Sequence, residues 1–174
     1  MICSVKLSDA EYLQACLISV QRMQESMLAR RNPNTGNRSR TYLERTGDEI
    51  RATCAEMAWH LAWDKYFGTG IGAFMSRPDA VGVEMRTCRR PDGELVFRPE
   101  DTEDRIYILS RTDGKVVEFL GWMDGAGAKE HGRKANPGAD KGARPAWFVP
   151  QSDLYLICDL PGKYLPPLFN CARN

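Results

Sequence analysis

Asp79, Glu84 and Arg86 are the residues of this chain whose types and spacing best suit chemistry. They lie in Arg77-Pro78-Asp79-Ala80-Val81-Gly82-Val83-Glu84-Met85-Arg86-Thr87. On a strand, residues two apart share a face. Glu84 and Arg86 are therefore expected to project together, opposite Val83 and Met85. A bend at Pro78-Asp79-Ala80 would swing the Asp79 carboxylate toward Glu84. Two converging carboxylates make an oxygen-rich site for a hard cation such as Mg²⁺. A neighbouring positive side chain can then neutralise charge on a phosphate. Taken alone, a Pro-Asp turn and a Glu-x-Arg pair are also ordinary features of a solvated strand, where such pairs contribute little.

These residues need elements to position them. Ser8-Asp9-Ala10-Glu11 has capping-box spacing. Leu13, Cys16, Leu17, Val20, Met23 and Met27 follow at helical spacing, which predicts a helix with that face buried and an end near Arg30. Asn32-Pro33-Asn34-Thr35-Gly36 then reads as a turn. Thr46-Gly47-Asp48-Glu49 predicts a second helix, running to about Phe67 and stopping at Gly68. Ile50, Cys54, Met57 and Leu61 form one stripe on it. Ala52, Trp59 and Trp63 lie on another side with Glu56 among them, so this helix is expected to be internal.

Strands are predicted at 81–87, Leu95-Val96-Phe97, 105–109 and 116–123. Thr112-Asp113-Gly114-Lys115 is a hairpin turn signal between the last two. Trp147-Phe148-Val149 and 154–158 are shorter candidates. The stretch 124–145, rich in Gly, Ala, Lys and Arg, reads as a mobile loop. Helices first and a mostly antiparallel sheet after argue for an α+β or α/β fold with helices against one sheet. One domain is expected over 1–174, with an N-terminal helix and basic loop in 1–46 and the core in 47–174.

Pro78-Asp79, four intervening residues and Glu84-x-Arg86 resemble the PD-(D/E)XK pattern of restriction-endonuclease-like nucleases. In that family a helix bearing a glutamate precedes the motif strand, and a hairpin strand follows. Glu56 takes the place of that glutamate. Phe119-Leu120-Gly121-Trp122 and Phe148-Val149-Pro150-Gln151-Ser152 are similar to the distal strand and closing segment of small phage-encoded members. The resemblance spans roughly residues 47–160. It implies a restriction-endonuclease-like core: a mixed central β-sheet flanked by helices, here with an N-terminal helical extension. It also implies hydrolysis of DNA phosphodiester bonds with Mg²⁺ or Mn²⁺.

The resemblance assigns Asp79 and Glu84 to the metal, with the Val83 carbonyl as a further ligand. Glu56 would hold a metal-bound water or a second metal. Arg86 replaces the motif lysine. Arginine effectively never gives up its proton, but it can clamp a phosphate through two N–H groups. The replacement keeps the electrostatic role and leaves three outcomes: slow turnover, turnover with a metal hydroxide as nucleophile, or none. In the last case the chain is a binding protein on the same fold, a phage accessory or anti-defence factor that holds DNA or a host protein. An unrelated α+β hydrolase of small molecules, in which Asp79 and Glu84 do not converge, is a third reading.

Two segments are locally basic. Arg30, Arg31, Arg38, Arg40 and Arg45 face a single acid, Glu44; Lys129, Arg133, Lys134, Lys141 and Arg144 stand against Glu130 and Asp140. Such stretches suit contact with a phosphate backbone, and equally they can be solvated loops. His60 follows Glu56 by four residues and shares its helix face. It could join the site, although a hydrogen-bonded core histidine is the commoner case. Trp59 and Trp63 could stack on bases, but at helical spacing they read first as core. Gly68-Thr69-Gly70-Ile71-Gly72 lacks the lysine and setting of a P-loop.

The formal net charge of +1 gives no global field, so any electrostatic role must come from such local clusters. The six cysteines, Cys3, Cys16, Cys54, Cys88, Cys158 and Cys171, form no C-x-x-C pair and read as reduced thiols. The N-terminus lacks signal-peptide character. No run approaches the roughly 18 apolar residues of a spanning helix. A cytoplasmic protein is expected, in the host cytoplasm if phage-encoded, with DNA as partner and a homo-oligomer or a host protein as further candidates.

Overall fold

A helical layer and two sheets stack around two apolar cores. The computed structural model describes residues 2–29, 41–67, 82–136 and 145–169. The larger sheet has the strand order β1-β5-β4-β2, formed by β1 (Cys3–Lys6), β2 (Val83–Cys88), β4 (Ile106–Asp113) and β5 (Val116–Asp124). β4 and β5 are the expected hairpin. They pair antiparallel out to Asp113 opposite Val116, and Gly114 turns the chain at φ +56°, a region only glycine enters freely. β1 adds antiparallel to β5, with Cys3 opposite Phe119.

The motif strand β2 lies beside β4 in parallel, with Glu84 opposite Tyr107. This corrects the expectation of a hairpin partner after the motif. The next strand, β3 (Leu95–Phe97), leaves for a second sheet of order β3-β7-β6, where it pairs antiparallel with β7 (Ala146–Val149). Leu95 and Phe97 are fully buried there, and burying both is what draws β3 off the first sheet.

Side-chain alternation sorts the cores. Val83, Met85, Ile106 and Ile108 face the helices and pack with Met57, Ala58 and Trp59. Tyr107, Leu109 and Met123 face the other way and meet Leu95, Phe97 and Val149 of the smaller sheet. The arrangement is a mixed α+β fold with a mixed sheet between helices and a second, smaller sheet.

α1 (Asp9–Leu28) starts at the Ser8–Glu11 capping box, as expected. Its buried face is not the expected one. Ala15, Ile18 and Ser19 are buried, whereas Leu13, Leu17, Val20 and Met27 are exposed. The small residues let α1 approach α2 closely enough for Ser19 Oγ to donate to Thr53 Oγ1 at 2.9 Å. Among the described residues before 47, β1 belongs to the main sheet and α1 to the helical layer.

α2 (Tyr42–Ala62) begins five residues earlier than expected, at a capping box of Thr41 and Glu44. Thr46 lies inside the helix, and its hydroxyl donates back to the Tyr42 carbonyl at 3.0 Å. Residues Thr53–Trp59 are all buried, in keeping with an internal helix. Part of the stretch read as a mobile loop is ordered, as α3 (Gly125–His131) and β6 (Arg133–Ala135). The region 154–158 contributes a short 3₁₀ turn and one bridge from Tyr155 to Trp122 instead of a strand. Among the described residues all cysteines are free thiols. None of the described helices is long and apolar enough to cross a membrane.

Candidate active-site face

Glu84 and Arg86 do share a face of β2, the one turned from the helices toward the smaller sheet. The Arg86 guanidinium stacks over the Tyr107 ring, 5.3 Å from its centre, reaching diagonally across from its own strand partner Leu109. Its Nη2 donates to Asp101 Oδ1 at 2.8 Å, and its Nη1 lies 4.0 Å from Glu84 Oε2. Glu84 is 9% exposed and forms an ion pair with Arg105. A carboxylate this buried requires such partners to stay ionised. Two guanidiniums thus flank one carboxylate, and a second carboxylate, Asp101, anchors one of them.

The loop from Arg98 to Arg105 carries these partners, and its shape is specified atom by atom. Asp101 Oδ2 accepts from the Arg98 backbone N–H at 2.8 Å, while its other oxygen holds Arg86. The Tyr107 hydroxyl accepts from the Thr102 N–H and donates to the Thr102 carbonyl, both at 2.9 Å. Burial pushes the Tyr107 phenol up to about 12, with the Asp101 charge acting in the same direction, so the hydroxyl keeps the proton it donates. Burial also lowers the Arg98 guanidinium from its ordinary value, and the charge on Arg86 adds to this; the two cations share one surround.

α3 clasps the loop from outside. The Gly125 and Ala126 N–H groups donate to the Arg105 and Glu103 carbonyls, each at 3.1 Å. A Cβ at Gly125 would lie 2.7 Å from both the Thr102 carbonyl and the Phe97 ring, so this approach needs glycine.

Glu56 is elsewhere. It belongs to the helical layer, where Arg22 of α1 grips both its oxygens at 3.2 and 2.8 Å. Arg22 also lies 3.6 Å from Glu49. Burial alone would lower the Arg22 guanidinium, but the hydrogen bond and charge of Glu56 outweigh it and the net shift is upward. With Val83 and Met85 facing α2 and Glu84 facing away, the sheet separates Glu56 from Glu84. The expected fourth member of the site is a structural ion pair. His60 stays beside it: its Nδ1 donates to the Glu56 carbonyl at 2.9 Å, and its ring meets Phe67 edge-on. Burial lowers its pKa, which favours the neutral ring.

Asp79, Arg38 and Arg40 lie outside the described residues, as do Arg30, Arg31, Lys141 and Arg144. Arg45 sits half-exposed in the first turns of α2. Lys129 pairs with Glu103 of the 98–105 loop and lies 5.4 Å from the centre of the Trp147 ring; Lys134 lies 5.1 Å from it. Arg133 stacks on Phe148 at 5.4 Å and sits 3.3 Å from Glu94. Pairing of β6 with β7 sets Lys134 beside Trp147 and Arg133 beside Phe148. Successive residues point to opposite faces, so these cations spread around the sheet edge. Among the described residues, no group of three or more His, Cys, Asp or Glu side chains is arranged to hold a metal.

Sequence reasoning missed Asp101, Arg105 and Arg22. Asp101 is one of four acids in Glu100-Asp101-Thr102-Glu103-Asp104, and nothing in that run singles it out. Arg22 had a readable signal, because it continues the small-residue face of Ala15 and Ser19 at helical spacing. No protein-family model, curated protein or solved structure matches the chain.

Proposed function

We propose that this chain is a DNA phosphodiesterase of the restriction-endonuclease-like type, acting with Mg²⁺ or Mn²⁺ at the Glu84–Arg86 face of β2. The observation that carries this reading is a nearly buried carboxylate, Glu84, flanked by Arg86 and Arg105 on the strand that follows Pro78-Asp79. The mixed sheet, with α2 preceding the motif strand and packing on one side of it, supports the core implied by the sequence pattern.

The carboxylate chemistry of Glu84 suits a hard cation, with Asp79 and the Val83 carbonyl as its companions. Glu56 does not fit that set, since Arg22 holds it behind the sheet. When bound, Mg²⁺ would supply Lewis-acid stabilisation and an acidified water. The remaining work falls to the chain. Arg86, braced by Asp101, binds and orients the phosphate and offsets the charge that develops on it. Arg105, 38% exposed at its side chain, can turn from Glu84 to the same phosphate. Lys129, Arg133, Lys134 and Arg45 would carry flanking backbone phosphates, together with Arg38 and Arg40.

The test is cleavage of plasmid and linear DNA in Mg²⁺ or Mn²⁺. Glu84→Ala and Asp79→Ala should each lower the rate by roughly 100-fold or more. Cleavage that survives both substitutions would remove this face from the mechanism.

A second reading rests on a specific observation: Glu84 and Glu56 are both already ion-paired, and Arg86 cannot serve as a base. The chain would then be a non-catalytic DNA-binding or host-protein-binding factor. Salt-sensitive gel-shift binding in EDTA, with no cleavage under any divalent metal, would favour it.

A further inference from the structure

The outer face of α1 carries a feature that the Glu84–Arg86 face does not use. Leu13, Leu17, Val20, Gln24 and Met27 follow one another at intervals of four, three, four and three residues. That is the a/d spacing of a helix that pairs with another helix. The structure turns this seam outward: Leu13 is 60% exposed, Leu17 59%, Val20 46% and Met27 61%, and the adjoining Leu28 is 77% exposed. Such a row is unusual for a soluble surface, where exposed apolar residues are normally scattered singly.

Charge narrows the choice of occupant. At 100° per residue, Asp9 in the first turn, paired with Lys115, is the one charged residue of α1 within a quarter turn of the seam. The other charges of the helix lie off the seam: Arg22 points inward to Glu56, Glu25 lies on the flank, and Glu11 in the first turn is turned away. Nucleic acid would need cations along this face, and a bilayer surface would need a basic rim; the seam offers neither. A second copy of the same seam meets it without repulsion, and a polar Gln24 at one seam position is the kind of residue that fixes register between paired helices. We infer that α1 is the interface of a two-fold symmetric homodimer, with the seam of one chain packed on that of its partner.

Size sets the strength. A helix of 20 residues is about 30 Å long and roughly 10 Å wide. Its face is smaller than the roughly 800 Å² per partner of a standard interface. The dimer is therefore a reversible one, forming in the micromolar range.

Sedimentation velocity on the full chain from about 1 to 200 µM reads this directly. The wild-type weight-average mass should rise from monomer toward dimer across that range. Leu17→Glu, at an exposed position, should hold the chain monomeric to the highest concentration while leaving its circular dichroism and melting temperature unchanged. Leu168→Glu, at another exposed leucine far along the chain, should dimerise like wild type. A wild-type chain monomeric at every concentration overturns the inference. So does a dimer that Leu17→Glu leaves intact, which would put the contact on another face.

Discussion

Glu56 illustrates how residue type and environment part company. By position before the motif strand it matched a metal-site glutamate, yet both its oxygens are taken by Arg22. Removing one member of a buried pair strands the other charge, at a cost of about 3–5 kcal/mol. Arg22 is 18% exposed at its side chain and has Glu49 within 3.6 Å, so the lower end of that range, or slightly less, applies to Glu56→Gln. The substitution should lower stability by about 2–3 kcal/mol in urea melts. On the proposed phosphodiesterase reading, the variant assayed well below its melting temperature should cleave DNA as the parent chain does. Loss of cleavage without loss of stability would return Glu56 to the site.

At the scale of elements, the site depends on one loop held by three neighbours. β2 supplies Arg86 to Asp101, β4 supplies the Tyr107 hydroxyl to Thr102, and α3 donates two backbone N–H groups from outside. Tyr107→Phe removes the hydroxyl and leaves both polar groups of Thr102 without that partner. Thr102 is itself exposed, so water can take the place of the hydroxyl, and a cost of about 0.5–1.5 kcal/mol is expected. Amide hydrogen exchange should locate it: the Thr102 N–H should exchange faster, while the β4 amides around Ile108 change only with global stability. Equal acceleration throughout β4 would mean that the hydroxyl supports the sheet and not the loop.

The whole molecule answers to pH through His60. Its ring is held in the fold with a pKa below the ordinary 6.5, first because burial disfavours the charged form and then because Lys65 is nearby; the hydrogen bond to Glu56 opposes both. Below pH 6.5 the unfolded chain takes up a proton that the folded chain resists. The His60 contribution to stability is therefore fully present above that pH and is lost progressively as pH falls through the window beneath it. Urea melts at pH 7.5 and 5.5 should show a smaller acid loss for His60→Gln than for the parent chain. An unchanged loss would place the acid sensitivity on other groups.

Local chemistry was legible in the sequence because it depends on neighbours along the chain. The Ser8–Glu11 cap, the Gly114 hairpin, the extended run at Leu95–Phe97 and the common face of Glu84 and Arg86 follow from spacing and backbone sterics alone. Thr41 could have been read the same way, since its Thr-x-x-Glu pattern equals that of Thr46. Which apolar stripe is buried was not local. The exposed leucines of α1 and its inward-facing Ala15, Ser19 and Arg22 both repeat at helical spacing, and only the close approach of α2 chose between them. The partners of Glu84 and Arg86 were likewise decided by tertiary structure. Arg105 and Asp101 reach them through a parallel strand pairing and a loop pinned by Tyr107, contacts 15 to 21 residues apart along the chain that no sequence period encodes.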